Sequence, residues 1–254
     1  MNGLLDLFSA PARQAAVESE TAHRPWPPPE EPWAMAQTWD DLLFAHYRVA
    51  AEELARLVPQ GLEIEQHDGS AWLGFNAFRV ESVRLHGALP VPWVSSFPQL
   101  NVRTYVTAGR KPGIWFFSLD TPSALAVETA RLVYRLPWRQ SRLTIGARGS
   151  RLDYSSTRGG GKAFSARVSP GGGAEPAAPG SLEHFLVERY CLYLREGRHL
   201  ARAELHSRPW LLERAAGAVD LNTMVPTGLE LPDEPPVLHV ARLQDALSWP
   251  TQRL

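Results

Sequence analysis

Beyond residue 33 the chain is dominated by short runs in which apolar and polar residues alternate, a period typical of half-buried strands. The first run, "WAMAQTWDDLLFAHYRV", predicts two extended pieces interrupted at Asp40–Asp41. The next segment, "AAEELARLVPQG", places its apolar residues on one helical face and ends at Pro59 and Gly61. It therefore predicts a short helix.

Three hairpins are predicted from paired strand patterns that flank turn residues. The first joins "LEIEQ" to "AWLGFNAFRVESVRL", the second joins "QLNVRTYVT" to "IWFFSLD", and the third joins "RYCLYL" to "HLARAELH". Further strands are predicted at "SRLTIGA", "RLDYSST", "AFSARVS" and "PVLHVARLQDALSWP". The glycine-rich "PGGGAEPAAPG" is typical of a flexible loop.

Helical patterns are few. The longest helix is predicted over 123–135, and a short one, "SLEHFLVE", follows the capping residue Ser181. Many strands without βαβ alternation indicate an α+β fold that is mostly antiparallel β. We expect a closed or nearly closed barrel with a few flanking helices, because closure removes unpaired edges.

Domain organisation is predicted from a change in composition near residue 30. Residues 1–30 are rich in proline and charge, and we expect a poorly ordered leader that is removable at little cost to stability. Residues 31–254 are expected to form a single domain.

Composition narrows the functional classes. The net charge of −1 argues against a nucleic-acid partner, which requires a concentrated basic surface. No apolar run approaches the roughly 20 residues of a membrane span, and the N-terminus lacks a signal-peptide pattern. The single cysteine, Cys191, excludes an intrachain disulfide and fits a reducing compartment. We expect a cytoplasmic protein without nucleic-acid or membrane partners, and leave homo-oligomer formation open.

Familiar chemical motifs are missing from the sequence. It contains no G-x-S-x-G, no P-loop and no G-x-G-x-x-G after a strand, and its eight histidines lack metal-site spacing. No metal or cofactor is therefore predicted. Cys191 reads as a buried, inert thiol. The only two lysines, Lys111 and Lys162, lie in turns bounded by glycine or proline and are predicted to be solvated turn residues.

The strand "FPQLNVRTYV" differs from the others because it carries an arginine at its centre. On a period of two, Leu100 and Val102 point to one face, whereas Asn101, Arg103 and Tyr105 point to the other. Arg103 is either on a solvated outer face or inside a barrel, where its guanidinium needs a carboxylate partner from a side chain or a ligand.

Six motifs in order resemble one family: "PWAMAQTWDDLLFAHY", "GLEIEQHDGSAWLGFNAFRV", "FPQLNVRTYV", "PGIWFFSLD", "GSLEHFLVERYCLY" and "NTM". The chain is similar to the YqjF-like family of uncharacterised bacterial proteins, a domain of unknown function in the acetoacetate decarboxylase-like superfamily. The resemblance spans roughly Trp33 to Trp249. It implies an acetoacetate decarboxylase-like β-barrel with an apolar central pocket, and no demonstrated activity.

The resemblance also shows which catalytic groups this chain lacks. Acetoacetate decarboxylases form an imine on a lysine within a segment resembling G-R-E-x-x-G-x-P-K-K. The similar segment here, "ARLVYRLPWRQ", aligns Arg131 and Pro137 with the motif but has Trp138 and Arg139 in place of the lysines. Arginine stays protonated and forms no imine. Gln99 stands where the family usually has glutamate, and it cannot titrate.

Seven residues are candidates for lining a ligand pocket: Gln99, Arg103, Tyr105, Arg131, Trp138, Glu188 and Tyr190. For Glu188 and Arg189 the alternative is a structural tie between helix and sheet. The leading hypothesis is a barrel that binds a small apolar or carboxylate-bearing molecule without Schiff-base chemistry. The alternatives are an enzyme that uses arginine and tyrosine for electrostatic or acid–base catalysis, and a structural or interaction protein whose pocket is filled by its own side chains.

Overall fold

The structure is a computed structural model that describes residues 3–90, 96–123 and 135–254, except for the side chains of residues 3–8. Within these ranges the backbone forms one sheet of fourteen strands. The strands are β1 Met35–Val49, β2 Glu63–Ile64, β3 Ala71–Leu85, β4 Phe97–Ala108, β5 Lys111–Thr121, β6 Trp138–Gln140, β7 Arg142–Arg148, β8 Arg151–Arg158, β9 Lys162–Pro176, β10 Cys191–Glu196, β11 His199–Ser207, β12 Leu211–Asn222, β13 Val237–Ser248 and β14 Gln252–Arg253. The described helices are α1 Gly3–Val17, α2 Ala51–Ala55 and α3 Leu182–Val187.

Seven strands pair in a ring. The order is β1, β3, β4, β5, β10, β11 and β13, and β13 pairs back to β1. All neighbours in the ring are antiparallel except β5 and β10. The mostly antiparallel α+β fold is therefore as predicted. A branch runs from β13 through β12, β9 and β8 to β7, and the short strands β2, β6 and β14 pair with β4, β5 and β11.

Both faces of the ring strands are buried. Leu42 and Phe44 on β1 belong to a hydrophobic cluster on the face that lines the interior, whereas Leu43 and Ala45 belong to a second cluster that includes residues of β7, β8 and β9. The chain shifts its register at Asp40–Asp41, where Asp41 has a φ of 47°. This irregularity lies where the sequence predicted an interruption, although the strand continues through it.

Three predictions about individual elements are corrected. β2 pairs with β4 rather than with β3, so the first predicted hairpin does not form. The segment predicted as a flexible loop is extended, because β9 continues to Pro176 beside β12. The helix predicted over 123–135 falls almost entirely on 124–134, which lie outside the described residues.

The N-terminal segment differs from the predicted poorly ordered leader. α1 buries Ala10, Gln14 and Val17 completely, and the helix contacts β1, β3 and β13. Gln14 donates to Thr38 Oγ1 at 3.1 Å and accepts from Arg84 Nε at 2.7 Å. The hydrophobic pattern gave no signal because this buried face is built from small and polar side chains.

Among the described residues, no helix has the length and apolar character needed to cross a membrane.

Candidate functional site

A cavity of about 110 Å³ lies inside the ring of strands. One part of its wall is apolar and aromatic, and the other part carries amides and two arginines. The apolar part includes Trp39, Phe78, Ile114, Phe116, Trp138 and Trp210. The polar part includes Asn76, Gln99, Asn101, Arg103 and Arg189.

β4 supplies three of the polar groups because every second side chain of a strand points to the same face. Gln99, Asn101 and Arg103 line the cavity, whereas Leu100 and Val102 between them join the hydrophobic cluster on the opposite face. Gln99 Nε2 donates to Asn101 Oδ1 at 2.6 Å, so these two amides hold each other. The period-two pattern had separated Asn101 and Arg103 from Leu100 and Val102, and of the two alternatives left open for Arg103 the structure has the interior one.

Arg103 is buried, with 9% of its surface exposed. Its Nη2 donates to the carbonyl of Leu186 at 3.0 Å and to Tyr105 Oη at 3.3 Å. Its Nε is buried without a hydrogen-bond partner. In the described parts of the chain, no carboxylate lies within ion-pair distance of this guanidinium.

Arg189 shows the contrasting arrangement. Its Nη1 donates to Glu65 at 2.5 Å, and its Nε donates to the carbonyl of Phe185 at 2.7 Å. Burial lowers the pKa of Arg189, and the carboxylate of Glu65 opposes that shift. Of the two arginines that line the cavity among the described residues, Arg189 already has its counter-ion.

His46 and Tyr105 lie behind Arg103. His46 Nε2 is 2.6 Å from Tyr105 Oη, and both side chains are buried. Burial lowers the pKa of His46 well below its usual range, and the charges of Arg103 and His239 lower it further. The imidazole is therefore neutral. Because Arg103 donates to Tyr105 Oη, the hydroxyl proton is free to be donated to His46 Nε2.

Asn76 is the polar residue that the sequence reasoning missed. It lies opposite Asn101 in the pairing of β3 with β4, and its side chain is 1% exposed. Neither its Oδ1 nor its Nδ2 has a hydrogen-bond partner. The available signal was a single amide within the otherwise apolar stretch "WLGFNAF".

The predicted site residues fall into three groups. Gln99, Arg103 and Trp138 line the cavity, and Tyr105 supports Arg103 from behind. Arg131 lies outside the described residues.

Glu188 and Tyr190 are not among the residues that line the cavity. Glu188 accepts hydrogen bonds from the hydroxyl of Tyr190 and, at 2.8 Å, from the backbone N–H of Trp210. Glu188 thus links the end of α3 to the segment that carries Trp210. This is the structural role that the sequence analysis gave as the alternative to lining the pocket. Arg189, considered with it, also lines the cavity.

Both lysines of the chain lie away from the cavity. Lys111 Nζ is 2.9 Å from Glu204 and 5.0 Å from the ring centre of Trp26. Lys162 Nζ donates to the carbonyl of Val225 at 3.2 Å. Lys111 is therefore less solvated than predicted, since it pairs with a buried carboxylate. Within the described ranges, no three His, Cys, Asp or Glu side chains are grouped to hold a metal ion.

Comparison with solved structures defines the class of fold. The chain is similar to acetoacetate decarboxylase from Legionella pneumophila, with a TM-score of 0.62, 11% identity, and coverage of 94% of this chain and 95% of that one. It is equally similar to the enduracididine biosynthesis enzyme MppR complexed with pyruvate, with a TM-score of 0.62, 17% identity, and coverage of 91% and 93%. The protein has an acetoacetate decarboxylase-like fold.

Sequence comparison defines the family. Residues 36–245 match the DUF2071 family, described as an uncharacterized conserved protein. The chain is 39% identical over 228 residues to the uncharacterized protein YqjF of Bacillus subtilis (strain 168), covering 89% of this chain and 94% of the relative. The chain belongs to the DUF2071 family, as the resemblance in its motifs predicted.

Proposed function

We propose that the cavity binds a small organic carboxylate through Arg103, without forming a lysine imine. The observation that carries the proposal is the buried guanidinium of Arg103, which faces the cavity and has no carboxylate within ion-pair distance in the described chain. A buried charge without a partner is costly, and an anionic ligand would supply the partner. Arginine also suits carboxylates because its planar fork matches both oxygens.

The size and lining of the cavity limit the rest of the ligand. A volume of about 110 Å³ is smaller than the roughly 150 Å³ cavity that accommodates benzene. The enclosed part of the site therefore holds no more than about six non-hydrogen atoms of the ligand. Phe78, Phe116 and Trp138 offer an apolar surface to its carbon chain. A short-chain carboxylic acid meets both requirements.

Similar structures support this ligand class. MppR, at 17% identity, has been solved in complex with pyruvate, a carboxylate of six non-hydrogen atoms. The unpartnered polar atoms of Asn76 and Arg103 also favour a ligand over a pocket filled by the protein's own side chains.

Binding is tested by isothermal titration calorimetry with pyruvate, acetoacetate and the neutral amide of pyruvate. We expect the two acids to bind and the amide to bind at least tenfold more weakly. Arg103→Met should abolish acid binding, because methionine keeps an unbranched apolar side chain but removes the guanidinium and its charge. Arg198→Met is the matched control, since Arg198 is exposed in the turn between β10 and β11. Equal binding of acid and amide, or full affinity in Arg103→Met, contradicts the proposal.

Imine formation is tested separately by borohydride reduction in the presence of acetoacetate or pyruvate, followed by intact-mass measurement. We expect no stoichiometric adduct, because both lysines lie outside the cavity. An acetoacetate decarboxylase treated in parallel provides the positive control. An adduct that disappears in Lys111→Ala or Lys162→Ala would show that imine chemistry occurs.

A further inference from the structure

At the polar wall of the cavity, the side chain of Asn76 lacks the hydrogen-bond partners that a buried amide needs. Its amide carries a donor and an acceptor, both buried and both without a partner. The neighbouring amides of Gln99 and Asn101 bond to each other, and neither is a hydrogen-bond partner of Asn76. Buried polar groups in native proteins nearly always have partners, so the missing partner of Asn76 is expected to be a molecule in the cavity.

We infer that the carboxylate ligand carries a hydroxyl group, at C2 or C3, which bonds to the amide of Asn76. This inference rests on the proposed binding of the carboxylate by Arg103. A hydroxyl both donates and accepts a hydrogen bond, so it satisfies Oδ1 and Nδ2 together. A keto group only accepts, and an unsubstituted methylene does neither. The requirement is the same in either orientation of the amide, since a flip only exchanges the two atoms.

The strand register gives the spacing between the two groups. Arg103 lies opposite Gly74 in the pairing of β4 with β3, and Asn76 is two residues further along β3 on the same face. Such diagonal neighbours lie roughly 7–8 Å apart, and their Cβ atoms somewhat closer. Gly74 brings no side chain between them, and a Cβ there would lie only 2.9 Å from the ring of His46. The two side chains thus converge on a ligand a few bonds long, which places the hydroxyl near the carboxylate.

The inference separates hydroxy acids from the oxo acids named for the similar enzymes. Calorimetry with two matched sets tests it: lactate, pyruvate and propionate, and 3-hydroxybutyrate, acetoacetate and butyrate. Both enantiomers of each hydroxy acid are included, because the wall of the cavity is chiral. In at least one set we expect one enantiomer of the hydroxy acid to bind tenfold or more tightly than both analogues.

The variant Asn76→Leu should remove this preference, so that within each set the hydroxy acid binds no more than about threefold more tightly than propionate or butyrate. The variant should fold, because leucine is of similar size and replaces two atoms that have no protein partner. Thermal unfolding checks this, and Asn76→Ala provides a second variant if the leucine is not accommodated.

The outcomes distinguish the inference from the proposed function. Arg103-dependent binding without any hydroxyl preference overturns the inference and leaves carboxylate binding intact. A hydroxyl preference that persists in both Asn76 variants overturns the assignment to this residue. If none of the six acids binds, both proposals fail.

Discussion

At the scale of single residues, the position of Arg103 is fixed by its neutral neighbours. Tyr105 Oη accepts from Arg103 and lies 2.6 Å from His46, so one hydroxyl connects the guanidinium to a neutral imidazole. Burial raises the pKa of Tyr105, although the charge of Arg103 opposes the shift, so the phenol remains protonated. The chain of bonds therefore orients the guanidinium without neutralising it, and its charge stays available to a ligand.

Tyr105→Phe tests this supporting role. Removing the hydroxyl leaves the buried Nε2 of His46 without its partner and Arg103 Nη2 with only the carbonyl of Leu186, so the free energy of unfolding should fall by about 1–3 kcal/mol. The affinity for pyruvate should also fall, because Arg103 loses one of its two anchors. Tyr193→Phe is the matched control: its hydroxyl donates to the carbonyl of Lys111, outside the cavity. Chemical denaturation and calorimetry of both variants should show lost stability in each and weaker binding only in Tyr105→Phe.

How much of the site was predictable depended on periodicity. The alternation along β4 was sufficient to group Asn101 with Arg103 on one face, because the face of a strand residue follows from its position alone. It did not show whether that face is turned to solvent or to the interior, since this depends on how the sheet closes. Asn76 was missed because the sequence does not show whether a single asparagine in a strand is hydrogen-bonded to a neighbouring side chain or is left without a partner. Glu188 was wrongly expected to line the cavity. Its actual position depends on packing between segments that are distant in sequence, and a local sequence pattern carries no information about such packing.

At the scale of elements, the N-terminal segment packs against the sheet and bonds to buried groups on it. Residues after α1 reach a buried carboxylate on β11: Arg24 Nη2 is 3.3 Å from Glu204, and Trp26 Nε1 donates to the same side chain at 2.7 Å. His206 Nε2 is 2.9 Å from the carbonyl of Val17, at the end of α1. Charge and proline in this stretch suggested disorder, but the partners of these charges lie some 180 residues away in sequence.

Deleting residues 1–26 should therefore destabilise the protein. The deletion removes Arg24 and Trp26, two of the groups that bond to Glu204, and the helix that covers β1 and β13, whereas Lys111 and Arg202 remain as partners of that carboxylate. Together these losses should amount to a few kcal/mol. At 2–4 °C per kcal/mol for a chain of this size, Tm should fall by roughly 10 °C. Arg208→Ala provides the control, because it breaks only the exposed ion pair with Glu20 and should leave Tm nearly unchanged. A truncated protein with the Tm of the full chain would support the original expectation of a removable leader.

At the scale of the whole molecule, three buried histidines couple stability to pH. Burial lowers the pKa of His46, His239 and His206, the last to about 4. Arg24 Nη1 is 3.3 Å from His206 Nδ1, so this ring is held as a neutral acceptor. Unfolding returns each imidazole to water, where it binds a proton near pH 6.5.

The sign of the pH dependence follows from these lowered values. Below about pH 6.5 the unfolded state binds more protons than the folded state, so stability is complete above that pH and is lost as the pH falls toward 4. Each histidine contributes a slope of up to about 1.4 kcal/mol per pH unit. Urea unfolding between pH 7.5 and 5 should show this loss. His206→Gln, which keeps one donor and one acceptor, should give a shallower slope, and an unchanged slope would exclude His206 as a contributor.

The pairing of β1 with β13 also determines when the protein can fold during its synthesis. Met35 pairs with Ser248, so the ring closes only after more than 200 further residues have been added. At the usual 5–20 residues per second, the ribosome needs roughly 10–40 s to supply them. Throughout that interval β1 has an unpaired edge and exposes Leu42 and Phe44. We therefore expect this edge of the nascent chain to be prone to aggregation until β13 has left the exit tunnel.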